Sequence, residues 1–207
     1  MKHWLLIGLL GISLFTQAAS VQIGCKRLQL VLDPELSPKI VEDKWGLGES
    51  GSQAPAILEL RGCKGKLLDH LTLDVPLARL DTTLLRGAPL PTYLVSVDLT
   101  AAAGSYNGPL TFPVEVKNHH LQIAEATASD GHHESIYLAI TGKATWKKFA
   151  TRTTDDLLSV NSQSQGNSFV TFYRRYHPTR NGWVVRVNSE SNLWESDGQF
   201  PEIKLFP

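Results

Sequence analysis

Apolar residues in this chain recur at every second position, in short runs cut by turn formers, and that period admits β-strands and little else. Tyr93, Val95, Val97 and Leu99 alternate with Leu94, Ser96, Asp98 and Thr100, and Leu110, Phe112, Val114 and Val116 alternate with Thr111, Pro113, Glu115 and Lys117. Each set reads as a half-buried strand. The connector over residues 101–109 is rich in Gly, Ser, Asn and Pro, and Pro113 has no N–H to give a ladder, which marks the second strand as an edge or bulged one.

Turn chemistry sets the pairings. Asp130-Gly131 is the strongest two-residue hairpin signal; as a loop it places Ile123 opposite Leu138 and Leu121 opposite Ile140, with the apolar faces in agreement. Val170, Phe172 and Tyr176 share one parity, as do Trp183, Val185 and Val187, around a loop at 177–182. Near the N-terminus the parity flips between Val21/Ile23 and Leu28/Leu30/Leu32, which suggests a bulge near Lys26-Arg27. Leu71, Leu73 and Val75 alternate with Thr72 and Asp74 as a further strand. One short helix is expected over 76–85, where Leu77, Leu80 and Leu84 fall at helical spacing, Pro76 suits a first turn and Gly87 lies just past the end. Residues 46–55 read as a loop. The expected fold is mainly β, an antiparallel β-sandwich or barrel with that one helix.

The first residues carry a different signal. A short basic start, an apolar run over residues 4–15 and the small-residue stretch Thr16-Gln17-Ala18-Ala19 match a secretory signal peptide over 1–20, followed by a single β-rich domain over 21–207. The apolar run is shorter than the roughly 20 residues of a spanning helix, so no transmembrane segment is expected in the mature chain. At 42% hydrophobic and 19% charged residues the chain has the material for a core and too little charge for disorder. Formal charge is zero, so no global field favours nucleic acid or an anionic membrane.

Cys25 and Cys63 are the only cysteines. In an exported chain they are expected to form a disulfide, worth up to about 4 kcal/mol by loop-closure entropy. The rival is lipidation of Cys25. Gly24 fits a lipoprotein signal, but Gln22 and the polar residues between Cys25 and the apolar run do not, and Cys63 would be left unpaired.

Between Leu157 and Ser189 there is no acid, while Arg174, Arg175, Arg180 and Arg186 all lie there. Strand parity puts Tyr173, Arg175, Val184 and Arg186 on the face away from the core, with Arg180 in the loop. An exposed tyrosine among guanidinium groups can meet a sugar, phosphate or carboxylate, and Tyr173, Arg175, Arg180 and Arg186 form the candidate binding site. The bland reading is a wet sheet face that lacks acids. Arg174 shares the apolar parity and needs an acid or a route to solvent. Paired histidines, His119-His120 and His132-His133, suggest metal, but neighbours on a strand point to opposite faces, and the expected register holds the pairs roughly 26 Å apart. Trp146, Trp183 and Trp194 read as core and rim aromatics. The stretch 194–207 reads as a final extended segment docking on the domain, or a tail presented to another protein.

No catalytic motif is present, Asp69-His70 has no assignable nucleophile, and no pattern requires a cofactor. The expectation is a periplasmic or secreted envelope protein that binds a glycan, an anionic polymer or a protein partner without catalysis. The alternatives are a hydrolase assembled from scattered residues and a carrier of apolar ligands.

Overall fold

The computed structural model describes residues 19–34, 54–99, 108–196 and 199–207. Most of the expected signal peptide over 1–20, of the loop over 46–55 and of the turn-rich connector over 101–109 lies outside them. The described strands are β1 (Ser20–Ile23), β2 (Lys26–Val31), β3 (Ile57–Arg61), β4 (Leu67–Thr72), β5 (Ala78–Leu80), β6 (Thr92–Asp98), β7 (Pro109–Lys117) and β8 (His120–Ile123). They continue with β9 (Glu125–Thr127), β10 (His133–Ser135), β11 (Leu138–Ala139), β12 (Ala144–Ala150), β13 (Asp155–Gln165), β14 (Ser168–Thr179) and β15 (Gly182–Glu190).

Three sheets stack as a sandwich, and among the described residues none closes into a barrel. The first runs β1-β2-β3-β4, the central one β11-β7-β6-β5 with β8 also on β7, and the third β10-β9-β15-β14-β13-β12. Pairing is antiparallel throughout except between β9 and β15. Leu28, Leu30 and Leu58 of the first sheet meet Val95, Val97, Phe112 and Val114 of the central one. The central sheet's other face brings Leu94 against Leu157, Tyr176, Trp183 and Val185 of the third, with Ile136 and Leu138 between. On the far face of the third sheet, Leu158, Val160 and Tyr173 are covered by Phe206.

This layering changes the reading of β6 and β7. They are not half-buried: six consecutive residues, Thr111 to Val116, are buried. Their polar face tolerates burial because its groups pair. The Ser96 and Thr111 hydroxyls lie 2.7 Å apart, and Glu115 accepts Gln122 Nε2 at 2.9 Å and Trp183 Nε1 at 3.2 Å. Nor is β7 an edge. β8 pairs with Val114–Lys117 and β11 with Leu110–Thr111, so Pro113 sits where one neighbour hands over to the next. Its carbonyl accepts Ala124 N–H on that side, and the missing donor therefore falls in the gap between the two ladders.

The expected helix at 76–85 is absent. Ala78–Leu80 pair with Val95–Val97 along the open edge of β6, so Ala78 and Leu80 enter the first core while Leu84 is exposed. Satisfying a sheet edge outweighs a helical leucine spacing that had no apolar face to meet. The parity flip near the N-terminus is the turn at Gly24-Cys25, with Ile23 opposite Lys26, rather than a bulge. Leu121 and Ile123 belong to β8 and face Val116 and Val114, not Ile140 and Leu138. The hairpin at Asp130-Gly131 exists, but His133 opposes Thr127. That is one residue off the expected register, because Gly131, at φ +85°, closes a turn in which its N–H meets Ala128 O.

Cys25 and Cys63 form the expected disulfide, joining the β1–β2 turn to the end of β3. No helix among the described residues is long and apolar enough to cross a membrane.

Candidate functional site

The site is built on the longest hairpins. β13 and β14 pair with Leu157 opposite Tyr176 and Leu158 opposite Arg175. One step further along that ladder brings Asp156 level with His177, and the two side chains meet, Oδ1 to Nδ1, at 2.8 Å. Asp156 has no exposed side-chain surface. Its Oδ1 also accepts the Thr154 hydroxyl at 3.0 Å, and its Oδ2 accepts Arg175 through Nε and Nη2, each at 2.7 Å. A buried carboxylate thus fixes one imidazole and one guanidinium that remain partly exposed, His177 at 41% and Arg175 at 30%.

β15 adds a second arginine. Arg186 lies directly opposite Arg175. It is exposed and makes no ion pair among the described residues. Like charges facing each other across a ladder repel; Asp156 offsets Arg175 and lets the pair stand. Arg175, His177, Val184, Arg186 and Pro207 line a recess of about 170 Å³. With Nδ1 committed to Asp156, the His177 ring keeps Nε2 for other partners.

The four residues read from sequence separate here. Arg175 and Arg186 come together as expected, and Arg180 stands exposed in the two-residue turn between β14 and β15. Tyr173 does not join them. It is 2% exposed, with its ring edge-on to Phe206 at 5.6 Å, because the 199–207 segment docks over that part of the face. Arg174, on the other face, reaches Glu134 at 3.8 Å. Two of the four arginines therefore have acids nearby, and the segment is less cationic than its sequence.

Sequence reasoning missed Asp156 and His177 as partners. The acid lies one residue before the acid-free stretch, and only the β13–β14 register carries it across to His177. The paired histidines sit on separate hairpins, where His120 approaches Asp69 at 3.5 Å and His133 approaches Thr127 at 3.1 Å. No group of three metal-ligating side chains gathers among the described residues. Asp69 accepts the backbone amides of Leu121 and His70, which hold its carboxyl below the usual carboxylate range, with Leu121 contributing most. It ties β4 to β8 and makes no side-chain hydrogen bond to His70 among the described residues.

A separate, mainly apolar cleft of about 440 Å³ lies against the central sheet, lined in part by Leu77, Val97, Ile140 and Trp146. Trp146 Nε1 is buried without a hydrogen-bond partner, so its donor is sealed off from the cleft's open space and offers a ligand no anchor. In comparison with known proteins the chain matches no family model, no curated protein and no solved structure.

Proposed function

We propose that the protein is an exported envelope component that binds an anionic polymer, through phosphate or carboxylate groups seated in the Arg175–His177–Arg186 recess. The observation that carries this reading is Arg186, an exposed guanidinium with no ion-pair partner among the described residues, set across from an arginine whose own charge is already balanced. Its fork is available for bidentate contact with an oxyanion, and Arg175 and His177 are held rigid beside it. Arg180 favours a polymer over a single anion. It lies five residues beyond Arg175, roughly 16 Å along the strand, so a chain of repeating charges can touch both ends where one small anion cannot. The Cys25–Cys63 disulfide supports an oxidising compartment.

The test is binding of inorganic polyphosphate, with uncharged dextran as control. Arg186→Glu leaves the Asp156 network intact and is expected to weaken polyphosphate binding about tenfold or more. Binding should also fall as salt rises. Unchanged affinity in Arg186→Glu would remove this face as the site.

A hydrolase reading has one specific observation behind it, the buried Asp156 orienting His177, an arrangement that suits a general base. The recess offers no serine, threonine or cysteine beside that histidine, so water would have to be the nucleophile. Release of phosphate from polyphosphate, abolished by His177→Gln, is the result that would favour it.

A further inference from the structure

A second site lies on the opposite face of the third sheet, where the core runs out. Along that face of β13 and β14 the apolar pair Leu157 and Tyr176 gives way to Ser159 opposite Arg174, and then to Asn161 and Gln163. β10 and β11 form the far wall and leave a cleft of about 190 Å³. We propose that this cleft binds one neutral sugar ring, independently of the anion reading above.

Its charged groups are matched and held. Glu134 Oε1 accepts the Tyr176 hydroxyl at 2.9 Å and lies 3.8 Å from Arg174 Nε. Burial, reinforced by the Glu134 charge, raises the Tyr176 phenol well above its usual range, so it stays a donor. One acid and one base leave the cleft without net charge, which suits an uncharged ligand. The rest of the lining mixes donors and acceptors. The side chains of Asn161, Gln163 and Ser159 make no hydrogen bond among the described residues, and each offers both functions. A sugar hydroxyl, donor and acceptor at once, is the group that satisfies such a lining. Ser159 lines the cleft. The residue is 7% exposed, and its hydroxyl, which bonds nothing among the described residues, is not sealed in but opens onto the cleft's space. There it adds a third group that can both donate to and accept from a ligand.

Size and rim agree with one ring. The volume lies below the roughly 300–1,000 Å³ of drug-sized pockets. At the rim Tyr137, 48% exposed, is braced edge-on against Phe112 at 6.0 Å, giving an apolar surface for the C–H face of a ring.

The experiment titrates the full chain with D-glucose, D-galactose, D-mannose and N-acetyl-D-glucosamine, following the side-chain amide signals of Asn161 and Gln163 by NMR. At least one sugar should shift them saturably, with affinity in the roughly millimolar range expected of a ligand this small. The matching linear tetrasaccharide separates sources: tighter binding than the single ring means a residue within a glycan, equal binding a free sugar. Ser159→Ala should weaken binding roughly three- to tenfold while leaving the urea midpoint unlowered, since it deletes a hydroxyl that bonds nothing in the protein. Asn161→Ala should weaken it as well. No shift with any of the four sugars, wild-type affinity in Ser159→Ala, or a lowered midpoint in that variant would each overturn the proposal.

Discussion

Arg86 grips both carboxylate oxygens of Asp155: its backbone N–H donates to Oδ2 at 3.0 Å, while Nε and Nη2 reach Oδ1 at 3.1 and 2.7 Å. The Asp155 N–H returns a bond to Arg86 O at 3.0 Å. This clamp ties the loop before β6 to the start of β13, and so the central sheet to the third.

The clamp predicts an acid limb of stability. The Arg86 side chain, more than its own backbone bond or charge at a distance, depresses the Asp155 carboxyl below its ordinary value of 3.8. A depressed carboxyl contributes stability that is complete above the unfolded value and lost as pH falls through the folded one. Urea midpoints should therefore change little on this account between pH 7 and 5, then drop below about pH 4. Arg86→Leu should unfold more easily than wild type at pH 6, with the gap closing toward pH 3. Glu59, lowered chiefly by Arg61, and Asp69, lowered chiefly by the Leu121 amide, keep part of the limb in both proteins. A gap constant with pH would show that Arg86 acts by packing alone.

Three glycines should rank by two separable causes. Gly24, at φ +60° with nothing within 4 Å of an added Cβ, carries backbone strain alone, and Gly24→Ala should cost about 1 kcal/mol. Gly87 adds a clash to φ +82°, since a Cβ there would lie 2.6 Å from Thr154 Cγ2 and 3.2 Å from its Cα; about 3 kcal/mol is expected for Gly87→Ala. At Gly108 the Cβ would meet Ile140 O at 1.8 Å. A backbone carbonyl cannot swing aside as a side chain can, so Gly108→Ala should exceed Gly24→Ala on sterics alone. Urea denaturation of the three variants gives the order; equal losses would mean that neither neighbour constrains the chain.

How legible this fold was depended on what each residue's face met. The strands at 93–99, 110–116, 170–176 and 183–187 were readable because one side of each is apolar at period 2. Burial of the other side of β6 and β7 was not, since Ser96 and Thr111 look like solvent residues until they face each other, and Glu115 does until Gln122 and Trp183 are brought to it. The same holds for the site. Arg175 and Arg186 were legible as sharing one face, because strand parity sets that; that they stand directly opposite was not, since a loop over 177–182 implies a different register from the two-residue turn at Arg180-Asn181. Tyr173 was misplaced because its cover, Phe206, arrives from the chain end with no periodicity to announce it. Asp156 was invisible because a single-strand pattern says nothing about which register step meets His177.

Asp156 gives the sharpest separation of structure from function. Asp156→Asn keeps the volume but withdraws the charge that holds Arg175 and His177, and losing charge-assisted bonds at a fully buried position should cost about 2–3 kcal/mol in urea unfolding. Polyphosphate binding should move the other way. The recess loses one negative charge, and Arg175, freed from bidentate contact, can turn its donors toward an oxyanion beside Arg186. Several-fold tighter binding by a less stable protein is therefore the expected pair of results. A parallel loss of affinity and stability would mean that Asp156 holds the recess in shape and that Arg175 binds nothing beyond its own carboxylate.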